Sequence, residues 1–260
     1  MVDAILDRKW LAASLFTLLI LATWEVMGVL GLLANYVLSP IEIVAALASN
    51  AINGNLILAS VQSVGLQMTG FIVGAAGGVL LGLTAGVSRW AEDFIDPLVA
   101  LAYPLPKIAL FPIVVIWLGY TDLSRALVIT VSVFFPVFVN AYAGTQGIEG
   151  RFIWVARNAE AGKLQTFFQV ILRAAMPSVS NGIRLGLALS FILTFATESL
   201  GASSGGLGAL IASGFNDLRY DALWAGIVAF GILGFGADRI WARISARLLR
   251  GQQVEAVGRG

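Results

Sequence analysis

The chain has 260 residues, of which 58% are hydrophobic and only 12% charged; its net charge is +1 and its mean hydropathy +0.88. Soluble domains carry about a quarter charged residues, so the composition excludes a soluble domain and describes an integral membrane protein. With neither cysteine nor histidine, it also excludes disulfides, thiol nucleophiles, imidazole bases and the usual zinc ligands.

Six apolar runs are long enough to cross about 30 Å of hydrocarbon, which predicts an all-α, polytopic membrane helix bundle forming one domain over residues 1–260. The first run covers Trp10 to Leu33 and ends without a small-residue cleavage site, so it is expected to span rather than be cleaved. A loop from Ala34 to Gln62 follows. Its Pro40 and the spacing of Ile41, Val44, Leu47 and Ile52 predict a short amphipathic helix. In the second run (Val64 to Val87), Gly70, Gly74, Gly78, Gly82 and Gly86 recur every four residues, with Gly77 beside them. Such a ladder lets another backbone approach closely, either within the chain or across a dimer.

The third run (Leu98 to Leu118) is interrupted by Pro104, Pro106 and Pro112, so its first part can be interfacial rather than spanning. The fourth covers Leu123 to Gly144, the fifth Ile183 to Leu200 and the sixth Leu223 to Ile244. Between the last two, Gly201 to Asp221 opens with GASSGGLG, readable as a re-entrant or gating loop or as an ordinary glycine-rich connection.

Arginine and lysine set the orientation. Arg8, Lys9, Arg89, Arg151, Arg157, Lys163, Arg173, Arg184, Arg239, Arg243, Arg247, Arg250 and Arg259 fall on one side, against Arg125 and Arg219 on the other. Both termini and the long loop at 147–182 are therefore expected in the cytoplasm. In that loop Ile153, Ala156, Glu160 and Leu164, then Phe167, Val170, Ile171 and Ala174, are spaced as two short helices joined near Gly162 and stopped at Pro177, with a break at Asn181-Gly182 after it. The small residues Ala156, Ala159, Ala161 and Gly162 would fit a partner's cleft, flanked by Arg157, Lys163 and Arg173. A basic loop lying on lipid headgroups is the simpler reading, but it leaves the length and the two-helix pattern unexplained.

Intramembrane ionisable groups are functional candidates, and few are present. Lys107 lies among the third-run prolines, where it can attract an anion or anchor at the interface. Glu198, beside Thr194 and Thr197, can belong to a pathway or gate, or can pair with the glycine-rich loop as a helix-end residue. Glu25 after Trp24 reads as an interfacial anchor. None of the lysines (Lys9, Lys107, Lys163) precedes Ser or Thr as a phosphate-binding loop requires, so any ATP must be bound by another chain.

Four segments carry a resemblance. Ala156-Arg157 through VILRAAMPSVSNGIRLGL (Val170 to Leu187) resembles the cytoplasmic signature loop of ABC importer permeases in the nitrate/sulfonate/taurine branch. YPLPKIALFPIVVIWLGY (Tyr103 to Tyr120), ATESLGASSGGLGALI (Ala196 to Ile211) and VLSPIEIVAAL (Val37 to Leu47) look like that branch's proline-rich third span, its Glu-then-Gly segment and its post-first-span motif. The chain departs from the loop signature at three places. Glu160 stands where a glycine is expected, Leu172-Arg173 where Leu-Pro is expected, and Trp154 in the initial Glu position. These imply either a matched, non-standard ATPase surface or a weakly coupled copy.

The resemblance implies a type I importer permease in the bacterial inner membrane. Two copies of the chain would form a homodimeric pathway in the lipid, with two cytoplasmic ATPase subunits binding ATP and Mg. An extracytoplasmic solute-binding protein would deliver the substrate, with no nucleic acid involved. Val155, Ala156, Arg157, Ala159, Glu160, Ala161, Gly162 and Lys163 would couple to the ATPase, and this chain would have no catalytic residue. The implied substrates are nitrate, bicarbonate, taurine and other sulfonates, with small organic anions preferred. A self-sufficient secondary transporter or channel would need mid-membrane carboxylates, and the acidic residues lie instead at span ends or in loops. An intramembrane enzyme would need a Ser-Lys or Asp pair, and neither is evident.

Overall fold

The computed structural model describes residues 2–201 and 205–249. Ala202, Ser203 and Ser204 of the glycine-rich segment, and Arg250 and Arg259 of the basic set, lie outside the described residues. In order, the helices are α1 (Val2–Val29), α2 (Pro40–Ile52), α3 (Asn55–Gly86), α4 (Arg89–Ala102), a 3-10 turn (Lys107–Leu110), α5 (Phe111–Leu118) and α6 (Asp122–Gln146). There follow α7 (Gly150–Asn158), α8 (Lys163–Thr166), a π-helical turn (Phe167–Ile171), α9 (Leu172–Ser199), α10 (Leu207–Asn216) and α11 (Tyr220–Leu248). Among the described residues there is no strand.

The glycine ladder sets the centre of the fold. A Cβ added at Gly74 would sit 2.5 Å from the Thr130 carbonyl oxygen, at Gly82 2.6 Å from that of Phe138, and at Gly86 2.5 Å from Thr145. The two backbones therefore touch along their length, and the ladder is spent on packing α3 against α6. Gly77, to one side, would meet only the Phe134 ring at 3.6 Å.

This contact also fixes direction. Rising numbers on α3 meet rising numbers on α6, so the two helices run parallel. The chain between them must return along the whole interface, roughly 30 Å at 1.5 Å per residue. It does so through α4, the Tyr103–Pro106 break, the 3-10 turn and α5. The third crossing is thus composite, interrupted where the prolines of the Leu98 to Leu118 run deny an unbroken hydrogen-bond ladder. Among the described residues five helices are long and apolar enough to span by themselves, and this broken traverse joins them.

The fifth run is longer than predicted. Helix α8, the π turn and α9 form one rod over Lys163–Ser199, so neither Pro177 nor Asn181-Gly182 breaks the chain. Pro177 lies inside α9, and Gly182 is where α9 crosses α6, a Cβ there falling 2.7 Å from Asn140 Cβ. Helix α9 runs antiparallel to α6, with Gly144 against Ser178 and Gly186 against Val133. Helix α11 then returns along α9, through Phe230 on Phe191, Arg184 on Asp238, and Ser245 Oγ 2.5 Å from Ser180 Oγ.

At the opposite end from α7, helix α2 closes the bundle as the proline motif predicts. Ser39 caps it in a reciprocal box with Glu42. Glu25 does more than anchor: it accepts hydrogen bonds from Ser39 Oγ at 3.3 Å and the Ile41 amide at 3.0 Å, tying α1 to the start of α2. Trp24 packs on Trp224, 6.0 Å between ring centroids, and from Leu11 to Leu21 α1 is exposed.

Candidate functional site

Two regions gather the predicted residues, one at each end of the bundle. The first is the turn between α7 and α8. Helix α7 ends when Glu160 takes a positive φ of 54° and the Ala161 amide bonds back to the Ala156 carbonyl at 3.1 Å. This six-to-one closure is a Schellman stop, which normally places glycine at the left-handed position. The glycine that the loop signature expects is therefore the residue this backbone asks for, and Glu160 occupies that place under strain. Gly162, extended at φ −62° and ψ 160°, opens α8.

The side chains do not all point where the spacing suggested. Ala156 is buried within its own chain, whereas Val155, Ala159, Glu160, Gly162 and Lys163 are exposed and Ala161 is half-buried. Arg157 lies on α7, but its side chain is outside the described residues. The presented surface is apolar: Trp154 is 66% and Leu164 75% exposed, with Val155 and Phe168 beside them. Arg151 pairs with Glu149 at 2.5 Å. Beneath the turn lies a cavity of about 1110 Å³, bounded by the ends of α3 and α6 and by Ile153, Ala161 and Phe167.

The second region is a polar seam at the α10 end. Glu198, 1% exposed, accepts from Ser63 Oγ and from the Gly208 amide, both at 2.8 Å. Ser63 Oγ in turn accepts from the Leu207 amide at 2.8 Å. The carboxylate and the serine hydroxyl thus satisfy the Gly208 and Leu207 amides of α10's first turn, and the carboxylate lies at the positive end of its dipole. Gly206, at φ 107°, admits it closely, since a Cβ there would fall 2.3 Å from Glu198 Oε1. Of the two readings of Glu198, its geometry matches the pairing with the glycine-rich segment.

One turn deeper, Gln67 donates to Ser190 Oγ at 2.6 Å. Thr194 and Thr197 are fully buried and donate to carbonyls of their own helix, Ser190 and Leu193, each at 2.8 Å. Tyr120 OH reaches the Thr197 carbonyl at 3.2 Å. Burial pushes that phenol above its ordinary pKa, against the pull of the Arg125 charge.

Beside the seam lies a cavity of about 590 Å³ that Glu198 lines together with Gln62, Gly65, Thr69, Asp122 and Arg125. Arg125 pairs with Asp122. Sequence reasoning assigned Ser63, Gln67 and Arg125 no role. The visible signal was the pair of polar residues four apart inside an apolar run, which lie on one helix face.

Lys107 is apart from both regions. Its ammonium donates to the carbonyls of Ala102 (3.2 Å) and Tyr103 at the end of α4 and lies 5.3 Å from the Phe135 ring centroid. It closes the helix end left open by the prolines.

Comparison with known proteins accords with this architecture. The family described as binding-protein-dependent transport system inner membrane component matches residues 78–250. The chain is 31% identical to the putative aliphatic sulfonates transport permease protein SsuC of Bacillus subtilis (strain 168), over 93% of this chain and 87% of that one. It is 32% identical to the taurine transport system permease protein TauC of Escherichia coli (strain K12), over 61% and 57%. A solved structure of the MetNI methionine ABC transporter in inward-facing conformations shares the fold, with a TM-score of 0.55 at 18% identity over 71% of this chain and 94% of that one. The chain belongs to the binding-protein-dependent transport system inner membrane components: it is a multi-pass permease subunit of the ABC importer type.

Proposed function

We propose that two copies of this chain form the pathway of an importer for a small organic oxyanion of the sulfonate type. Two cytoplasmic ATPase subunits, which bind ATP and Mg, and an extracytoplasmic solute-binding protein complete the assembly. In this reading the α7 end faces the bacterial cytoplasm, consistent with the basic residues gathered there, and the α10 end faces outward.

One observation carries the reading. The turn between α7 and α8 presents Trp154, Val155 and Leu164 to solvent at the base of an unbroken rod, Lys163–Ser199. An apolar knob attached to a stiff helix suits transmission of an ATPase's closure to the far end of the membrane, as rigid-body alternating access requires. The substrate class is supported by relatives named for transport of aliphatic sulfonates and taurine.

The first experiment is purification of the chain from its native membrane in mild detergent. A stoichiometric ATPase subunit, released when Val155 is replaced by Asp, is the expected result. An ATPase-free oligomer that still moves ethanesulfonate into liposomes would overturn the reading in favour of a self-sufficient transporter.

A further inference from the structure

Among the described residues, one buried side-chain polar atom lacks a hydrogen-bond partner: Arg125 Nε. Buried charged donors are seldom left unpaired. Arg125 is 8% exposed, stands in the first turn of α6, and lines the cavity of about 590 Å³ beside the polar seam. Its Nη2 bonds Asp122. Nη2 and Nε form one fork of the guanidinium, the geometry that takes two oxygens of a single anion, so only half of that fork is in use.

The two neighbouring carboxylates differ. Glu198 is committed to Ser63 and the Gly208 amide. Asp122 has a side chain 83% exposed, so water competes for it and its pairing is weak. Gln62 on α3 also lines the cavity, and its side-chain amide brings a further donor to it.

We propose that this cavity is a transit site for the oxyanion head of the substrate. Two of its oxygens take the Nε–Nη2 fork of Arg125 and displace Asp122, a tethered carboxylate that occupies half the fork when the site is empty. The inference rests on the importer reading above. Exchange of one anion for another makes binding weak, which a pathway needs if the solute is to leave again.

The test uses the assembled permease–ATPase complex in nanodiscs, without solute-binding protein and in sulfonate-free buffer, with radiolabelled ethanesulfonate as probe. Arg125→Gln is expected to weaken binding about tenfold and Arg125→Lys less, because lysine keeps the charge but loses the fork. Asp122→Asn is expected to tighten binding about fivefold by removing the competing anion. Should Arg125→Gln fail to assemble, Asp122→Asn decides, since asparagine keeps the size and an oxygen that can accept from Arg125 while removing the charge. Asp122→Asn binding equal to or weaker than wild type, or Arg125→Gln within twofold of it, overturns the proposal. A wild-type complex that performs ATP-driven ethanesulfonate uptake yet binds none without its binding protein sinks the transit site alone. Absence of any ATP-driven uptake would bring down the importer reading with it.

Discussion

Ser63 and Glu198, 135 residues apart in sequence, are joined at 2.8 Å, and the same serine oxygen receives the Leu207 amide. One hydroxyl thus holds three helices together: α3 through its own backbone, α9 through the carboxylate, and α10 through its first turn.

Ser63→Ala should therefore cost more than a surface hydroxyl. It leaves the Leu207 amide without an acceptor and takes a donor from the carboxylate, a loss of about 1–3 kcal/mol. Thermal unfolding of the detergent-solubilised complex should begin at lower temperature. An unchanged midpoint would mean that water replaces the hydroxyl and the clamp is slack.

The glycines of α3 should differ sharply in tolerance. Gly74→Leu and Gly82→Val drive a side chain into the α6 backbone, so correctly folded protein should be lost, at a cost of about 1–3 kcal/mol or more. Gly77→Ala meets only ordinary van der Waals contact and should assemble normally. Comparing yields of monodisperse complex separates the cases, and equal yields would contradict parallel packing of α3 on α6.

Glu160→Gly should relieve the left-handed strain and firm up the end of α7 by about 1 kcal/mol. The measurable sign is roughly fivefold slower exchange of the Ala161 amide, which closes the turn. Faster exchange would show that the Glu160 side chain, not the backbone, holds the turn.

Val155→Asp and Ala156→Arg should fail in different ways. Val155 is exposed, so its variant should fold, reach the membrane and lose substrate-stimulated ATP hydrolysis. Ala156 is buried, and a long charged side chain there should reduce folded protein before coupling is touched. Surface expression measured beside ATPase stimulation distinguishes the two, and a fully coupled Val155→Asp complex would rule out docking through this face.

Much of the bundle was legible because membrane spans write themselves as long apolar runs, and the Pro40 helix because a proline followed by apolar residues at helical spacing marks one. The continuity of α9 was not legible. Pro177 and Asn181-Gly182 read locally as punctuation, yet packing against α6 and α11 outweighs these preferences, and Gly182 serves as a crossing point rather than a break. Likewise, the spacing of Ala156 could not say which side of α7 faces the chain itself. Glu198 was found from its charge alone. Its pairing with the glycine-rich segment was one of the two readings open, whereas its partner Ser63 comes from α3, which only the fold brings alongside.

The rod from Lys163 to Ser199 also makes chain length a constraint in its own right. A single residue inserted between Leu172 and Ser199 would turn everything above it by about 100°, swinging Glu198 away from Ser63 while leaving composition and hydropathy almost untouched. Four inserted residues would nearly restore the bearing but lift the carboxylate about 6 Å past its partners. Insertions and deletions should therefore be purged between Lys163 and Ser199, a pattern that counting residues among natural variants would reveal without any functional assay.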